Sequence, residues 1–161
     1  RHGKVVSDAG TVIEAWAVLK HWDFRQAYVE YYGEVYGLPD AERKALRDSQ
    51  LELSRQTYEV HAAVQTTNYK WNDLEKSMSA WKITLGDGAG VELAPTSIEV
   101  KKLPELYETK FFPSRTPFTK TYVIKFPREA EPGQVLGGRT GRVTLRIVSP
   151  LAKVELTWQS G

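Results

Sequence analysis

His21, Asp23 and His61 carry the sharpest chemical suggestion in this sequence. A His-x-Asp pair followed by a distant His is the order in which a two-His, one-carboxylate set holds a non-haem ferrous ion. On a strand, residues i and i+2 point the same way, so one imidazole and one carboxylate can share a metal while a later strand brings the third ligand. The local sequence competes with that use. A helical pattern begins straight after Asp23, where a carboxylate is expected to accept bonds from the first free amides of the helix. His61 also falls on the polar face of its own strand pattern. A metal-dependent enzyme is therefore the alternative expectation, and the leading expectation needs no cofactor.

Other chemical patterns are weaker. "GDGAG" at residues 86–90 has the glycines of a phosphate loop, but such a loop opens a helix, and the following "VELAP" is extended. A hairpin turn accounts for those glycines. No Gly-x-Ser-x-Gly occurs, so no nucleophile elbow is signposted. The chain has no Cys, which removes thiolate metal sites, disulfides and Cys nucleophiles together.

Two loop stretches suit binding better than catalysis. In "NYKWNDLEKSMSAW", residues 68–81, Tyr69, Trp71, Asn72 and Asp73 combine rings with amide and carboxylate groups, a mixture fitted to a sugar or peptide. The competing reading is a crossover in which Leu74 and Met78 form one helical turn. Phe111 and Phe112, beside Pro113, read either as an exposed partner patch or as an apolar plug with the proline blunting an edge.

The elements that must position these residues come in two textures that meet near residue 58. Before it, Phe24, Tyr28, Tyr31, Tyr32, Val35 and Tyr36 recur at helical period, and Arg25, Gln26, Glu30, Gly33 and Glu34 take the other face. The spacing predicts a helix over 24–36, capped by Asp23, stopped at Gly37 and Pro39, with its aromatic stripe laid on apolar surface. The four tyrosine hydroxyls favour the edge of a core, and a tyrosine-lined partner groove is the functional alternative. A second helix from Asp40 to near Gln56 would complete a hairpin. Residues 11–22 read as a strand with Val12, Trp16, Val18 and Trp22 on one face.

After residue 57 the period is two. Tyr58, Val60, Ala62 and Val64 share a face, as do Trp81, Ile83 and Leu85, then Ile98 and Val100. Further runs align Phe118, Tyr122, Ile124 and Phe126, then Val143, Leu145 and Ile147, then Val154, Leu156 and Trp158. Glycine- and proline-rich breaks separate them. Half-buried alternating strands at this spacing predict an α+β chain: an antiparallel β-sandwich, immunoglobulin-like in its leading form, with an N-terminal helical hairpin on one face or end. One composite domain over 1–161 is expected, with the first strand and hairpin in about 1–57 and the sandwich in about 58–159.

Composition sets the outer limits. With 41% hydrophobic and 26% charged residues the chain is globular. Net charge is +2, far from the basic footprint of a nucleic-acid binder. No apolar run reaches the roughly 20 residues of a membrane span. The chain begins at Arg1 and not at Met, which reads as a trimmed start and leaves room for an export signal or a lipid-anchor cysteine upstream. Together these features predict a non-enzymatic interaction or structural module, extracytoplasmic and of bacterial envelope or lipoprotein type, whose partner is a protein or small ligand. A hydrophobic-ligand carrier is the second alternative, and it requires a cavity between hairpin and sheet.

Overall fold

The alternating segments pair as antiparallel strands. A computed structural model describes residues 2–7, 10–102, 104–113, 115–134, 136–137 and 140–159. In chain order the strands are β1 (His2–Ser7), β2 (Gly10–Leu19), β3 (Thr57–Thr66), β4 (Lys82–Gly86), β5 (Glu92–Leu93), β6 (Ser97–Val100), β7 (Lys120–Pro127), β8 (Arg142–Val148) and β9 (Lys153–Gln159). The helices are α1 (Trp22–Val35), α2 (Asp40–Gln56) and α3 (Glu105–Phe111). The chain is thus α+β, with the helical hairpin near its N-terminus.

Two sheets form. One has the order β1-β2-β3-β7-β6 and the other β5-β4-β8-β9. Their apolar faces contribute to a single buried cluster. Ile13, Ala15, Ala17 and Leu19 of β2, Val60, Ala62 and Val64 of β3, and Tyr122, Ile124 and Phe126 of β7 come from the first sheet. Ile83 and Leu85 of β4, Leu145 and Ile147 of β8, and Val154 and Leu156 of β9 come from the second. The period-two pattern foretold most of these positions, because a strand with one wet face must alternate.

Strand β2 departs from it. Its core-facing residues are Ile13, Ala15, Ala17 and Leu19, not the face of Val12, Trp16 and Val18. Trp16 and Val18 point to the outer side of the sheet, where with Ala63, Phe111 and Phe112 they form a second, smaller cluster under α3. Because Phe111 at the end of α3 and Phe112 after it pack on that side, β2 is apolar on both faces, and alternation alone cannot say which face is inner. Trp22 belongs to α1 and not to the strand.

The 86–90 segment is a hairpin turn between β4 and β5. Gly88 and Gly90 have φ of 70° and 111°, the left-handed region in which a Cβ is strained. The carboxylate of Asp87 sits inside the turn and accepts N–H groups from Ala89 at 2.8 Å, Val91 at 3.1 Å and Gly137 at 3.3 Å.

Candidate partner-binding surface

Helix α1 is inverted relative to its apolar pattern. The residues it buries are Arg25, Val29 and Gly33, the i, i+4, i+8 line opposite the tyrosines. Arg25 is 1% exposed. Its guanidinium donates to the Lys20 carbonyl at 3.1 Å, to Oε1 of Gln50 at 2.7 Å and to Oε2 of Glu59 at 3.2 Å. One side chain thereby ties the end of β2, helix α2 and strand β3 together at the base of the hairpin. A planar cation with five fixed donors suits a junction of carbonyl, amide and carboxylate.

Glu59 is the hub of that junction. Oε1 also lies 3.4 Å from Lys20 Nζ and 2.5 Å from His61 Nε2. An ionised carboxylate only accepts, so Nε2 of His61 carries the proton. Burial alone would raise the Glu59 pKa, but the His61 bond and the Lys20 and Arg25 charges overcome it and hold the group well below the usual carboxylate range. Burial pushes the His61 imidazole below its ordinary value, against the pull of Glu59. The space between hairpin and sheet is filled here by a connected polar cluster.

Above this base the hairpin is open to solvent. No residue of α2 is buried along its 17 residues. The helices are held side by side by Gly33, over which the Arg43 side chain lies, and by Glu30, which pairs with Arg43 at 3.3 Å and Arg47 at 2.5 Å. On the other face of α1, Tyr28, Tyr32 and Tyr36 form a ladder with ring centroids 5.7 Å and 4.4 Å apart. Tyr31 is 47%, Val35 54% and Tyr36 61% exposed. At the lower end Phe24 meets Phe111 edge-on at 5.4 Å, and Lys110 Nζ sits 3.6 Å above the Tyr31 ring. The aromatic stripe therefore meets the end of α3 at Phe24 and Tyr31, keeps Tyr28 and Tyr32 half-buried in its own ladder, and leaves Tyr31, Val35 and Tyr36 as exposed surface.

The residues singled out from sequence are dispersed. His21 precedes α1 without a side-chain capping bond, and its Nδ1 is 3.6 Å from Asp23 Oδ2. Asp23 lies in the first turn of α1 and is not the cap. His61 is 4% exposed and engaged with Glu59. Among the described residues no three His, Cys, Asp or Glu side chains are grouped as metal ligands.

Tyr69 and Trp71, in a single 3-10 turn at the far end of β3, are 64% and 41% exposed. Asn72 is 1% exposed. Its amide donates to the Val64 carbonyl at 2.7 Å and accepts the Tyr122 hydroxyl at 2.8 Å, so it closes the end of the core. Asp73 accepts the Ser79 hydroxyl at 2.9 Å. Leu74 is buried, but Met78 is 91% exposed, so the two do not share one packed turn. Phe112 is buried in the small outer cluster, with Phe111 against it. Phe118 is 67% exposed and lies before β7, outside the alternation expected of it.

Lys20, Arg25, Gln50 and Glu59 form the junction without having stood out in the sequence. The available signal was the Arg25–Val29–Gly33 line, a second helical face with a small residue at its top. Comparison with protein-family models, curated proteins and solved structures finds no match. Among the described residues no helix is long and apolar enough to cross a membrane.

Proposed function

We propose that this chain is a non-catalytic interaction module in which a two-sheet body carries the helical hairpin as a partner-binding arm. The observation that supports it is the inversion of α1: its arginine turns inward and its tyrosines outward, beside a 17-residue helix none of whose residues is fully buried. Such an arm adds almost nothing to the main core. Its ordered aromatic face is explained by what it meets outside the chain. The partner is a protein. Tyrosine offers large, rigid contact area with a polar tip, the chemistry enriched at protein interfaces, and the ladder presents it at helical spacing for a helix or strand to lie across.

The body is read as an immunoglobulin-like sandwich. The order β2-β3-β7-β6 against β5-β4-β8-β9 matches the A-B-E-D and C′-C-F-G orders of that architecture. Strand β1 would then be an addition at the A edge, with the hairpin inserted between A and B and α3 between D and E. Cross-strand contacts between Ile98 and Ile124, and between Leu85 and Leu145, test the two defining pairings by nuclear Overhauser effects.

The arm is tested by placing a photo-crosslinking benzophenone residue at Tyr36 in cells that naturally make this protein. The expected result is one adduct of defined mass, absent when the probe is at Lys153 and lost with Tyr32→Ala. A second reading uses the opposite end of the body. Tyr69, Trp71, Met78 and Phe118 are exposed there, and bonds from Thr116 and Thr119 to Gln65 bring the 115–119 segment to the end of β3. Adducts from positions 69 or 71, with none from 31 or 36, would transfer the interface to those loops.

A further inference from the structure

A concavity lies where the segment after β6 and helix α3 meet the start of β7. It has a volume of about 450 Å³, and its lining includes Lys101, Lys102, Glu108, Arg115 and Lys120. Four cationic side chains thus face one carboxylate. That volume lies within the range of small-ligand sites, roughly 300–1,000 Å³.

The wall is built before any ligand arrives. Glu108 is 1% exposed; one oxygen pairs with Arg115 Nη1 and the other accepts the Thr121 hydroxyl at 3.3 Å. The guanidinium is thereby fixed against the wall. Lys120 is drawn to the Asn72 carbonyl at 2.5 Å and to Glu75 at 3.7 Å. The Thr116 and Thr119 hydroxyls are committed to Gln65, which sets the loop. Lys101 and Lys102 are different. Both are exposed, and among the described residues neither is within ion-pair distance of a carboxylate. The Lys101 amide is bonded to the Thr121 carbonyl at 2.9 Å, so this backbone is held while the ammonium groups stay available.

We propose that this cleft binds the phosphate group of a small phosphorylated ligand, with Lys101 and Lys102 as its charge-neutralising residues and Arg115, oriented by Glu108, as the directional donor. Two mobile ammonium groups opposite one fixed guanidinium suit a group with several oxygens and more than one negative charge. The site is independent of the interaction arm, and either reading can fail alone.

The test follows amide chemical shifts of the full chain during titration with inorganic pyrophosphate, with glycerol phosphate and, separately, with phosphatidylglycerol vesicles. Sodium chloride of matched ionic strength is the reference. Saturable shifts confined to 100–102 and 108–121 are expected, with affinity about tenfold weaker in Lys101→Gln/Lys102→Gln and unchanged in the charge-matched Lys76→Gln/Lys82→Gln. Removal of Arg115 would take from the buried Glu108 its cationic partner, so Arg115→Lys serves as the second variant; it keeps the charge and is expected to lose affinity through the lost fork. Response to glycerol phosphate assigns a soluble ligand, and response to vesicles alone assigns a lipid headgroup. Absence of saturation by about 10 mM of every probe overturns the proposal, as does an equal effect in the two double variants.

Discussion

Arg25 shows how one polar side chain can decide the placement of a helix. It is buried with its carbonyl, amide and carboxylate partners around it, and truncation would leave Glu59 without its main neighbour on that side. Breaking such a buried pair costs about 3–5 kcal/mol, so Arg25→Ala is expected to lower stability by that order in urea unfolding, and Arg25→Lys by less. Tyr122→Phe removes the hydroxyl from Asn72 and is expected to cost about 1–3 kcal/mol, the penalty of one buried acceptor left unpaired. Titration should follow the same logic. Burial would raise the Asp87 carboxyl, but three backbone N–H groups hold it below its usual range, while Glu59 and His61 are also depressed. A depressed folded-state pKa gives stability that is complete above the unfolded value and is lost as pH falls. The loss should begin below about pH 6.5 through His61 and continue below about pH 4 through the carboxylates. The urea midpoint is therefore expected to drop between pH 7 and 5, and His61→Gln to flatten that interval; a midpoint constant in the parent protein would contradict the assignment.

The hairpin owes its form to one small residue and one acidic one. A Cβ on Gly33 would stand 2.6 Å from Arg43 Nε, which is buried and has no partner among the described residues. The far end of Arg43 also reaches Glu30, so any large side chain at 33 displaces both contacts. Gly33→Leu is expected to separate α2 from α1 and to speed amide exchange throughout α2, while β3 and β7 keep full protection. Equal loss of protection in the sheets would mean that the hairpin and body unfold as one unit. By contrast, Tyr36→Ser and Val35→Ser should alter stability by no more than about 1 kcal/mol, since each already faces solvent. That tolerance is what makes the crosslinking comparison readable.

The arrangement of body and arm invites a direct test of their independence. Strands β2 and β3 are adjacent and antiparallel, with Leu19 opposite Val60, and the Lys20 amide bonds to the Glu59 carbonyl. A two-residue Asn-Gly turn can join strands in that relation, so residues 21–58 carry a long detour that the sheet does not need for its register. A chain in which Asn-Gly replaces residues 21–58 is expected to retain cooperative unfolding at a lower temperature, having lost Phe24 from against Phe111 and the Arg25 junction. Loss of cooperative unfolding would make the arm an obligatory part of the fold.

The sequence alone established the classes of element and most of the core. Val60, Leu85, Ile124, Leu145 and Val154 were legible because a strand with one covered face must alternate. The turn glycines and the two hairpin helices were legible because chain breakers and helical period act within a few residues, whereas the short α3 was not. What the sequence left open depended on which surface lies opposite. The two faces of β2 are both apolar, and the choice between them follows from what lies opposite: the second sheet on one side, Phe111 and Phe112 on the other. The two faces of α1 were ranked by hydrophobicity, and the order reversed. A tyrosine stripe is stabilised only where apolar surface awaits it, whereas Arg25 found three partners from segments 5, 25 and 34 residues away. The cleft at Lys101, Glu108 and Arg115 is of the same kind. Each residue is ordinary in its own segment, and only the return of β7 past α3 sets them around one space.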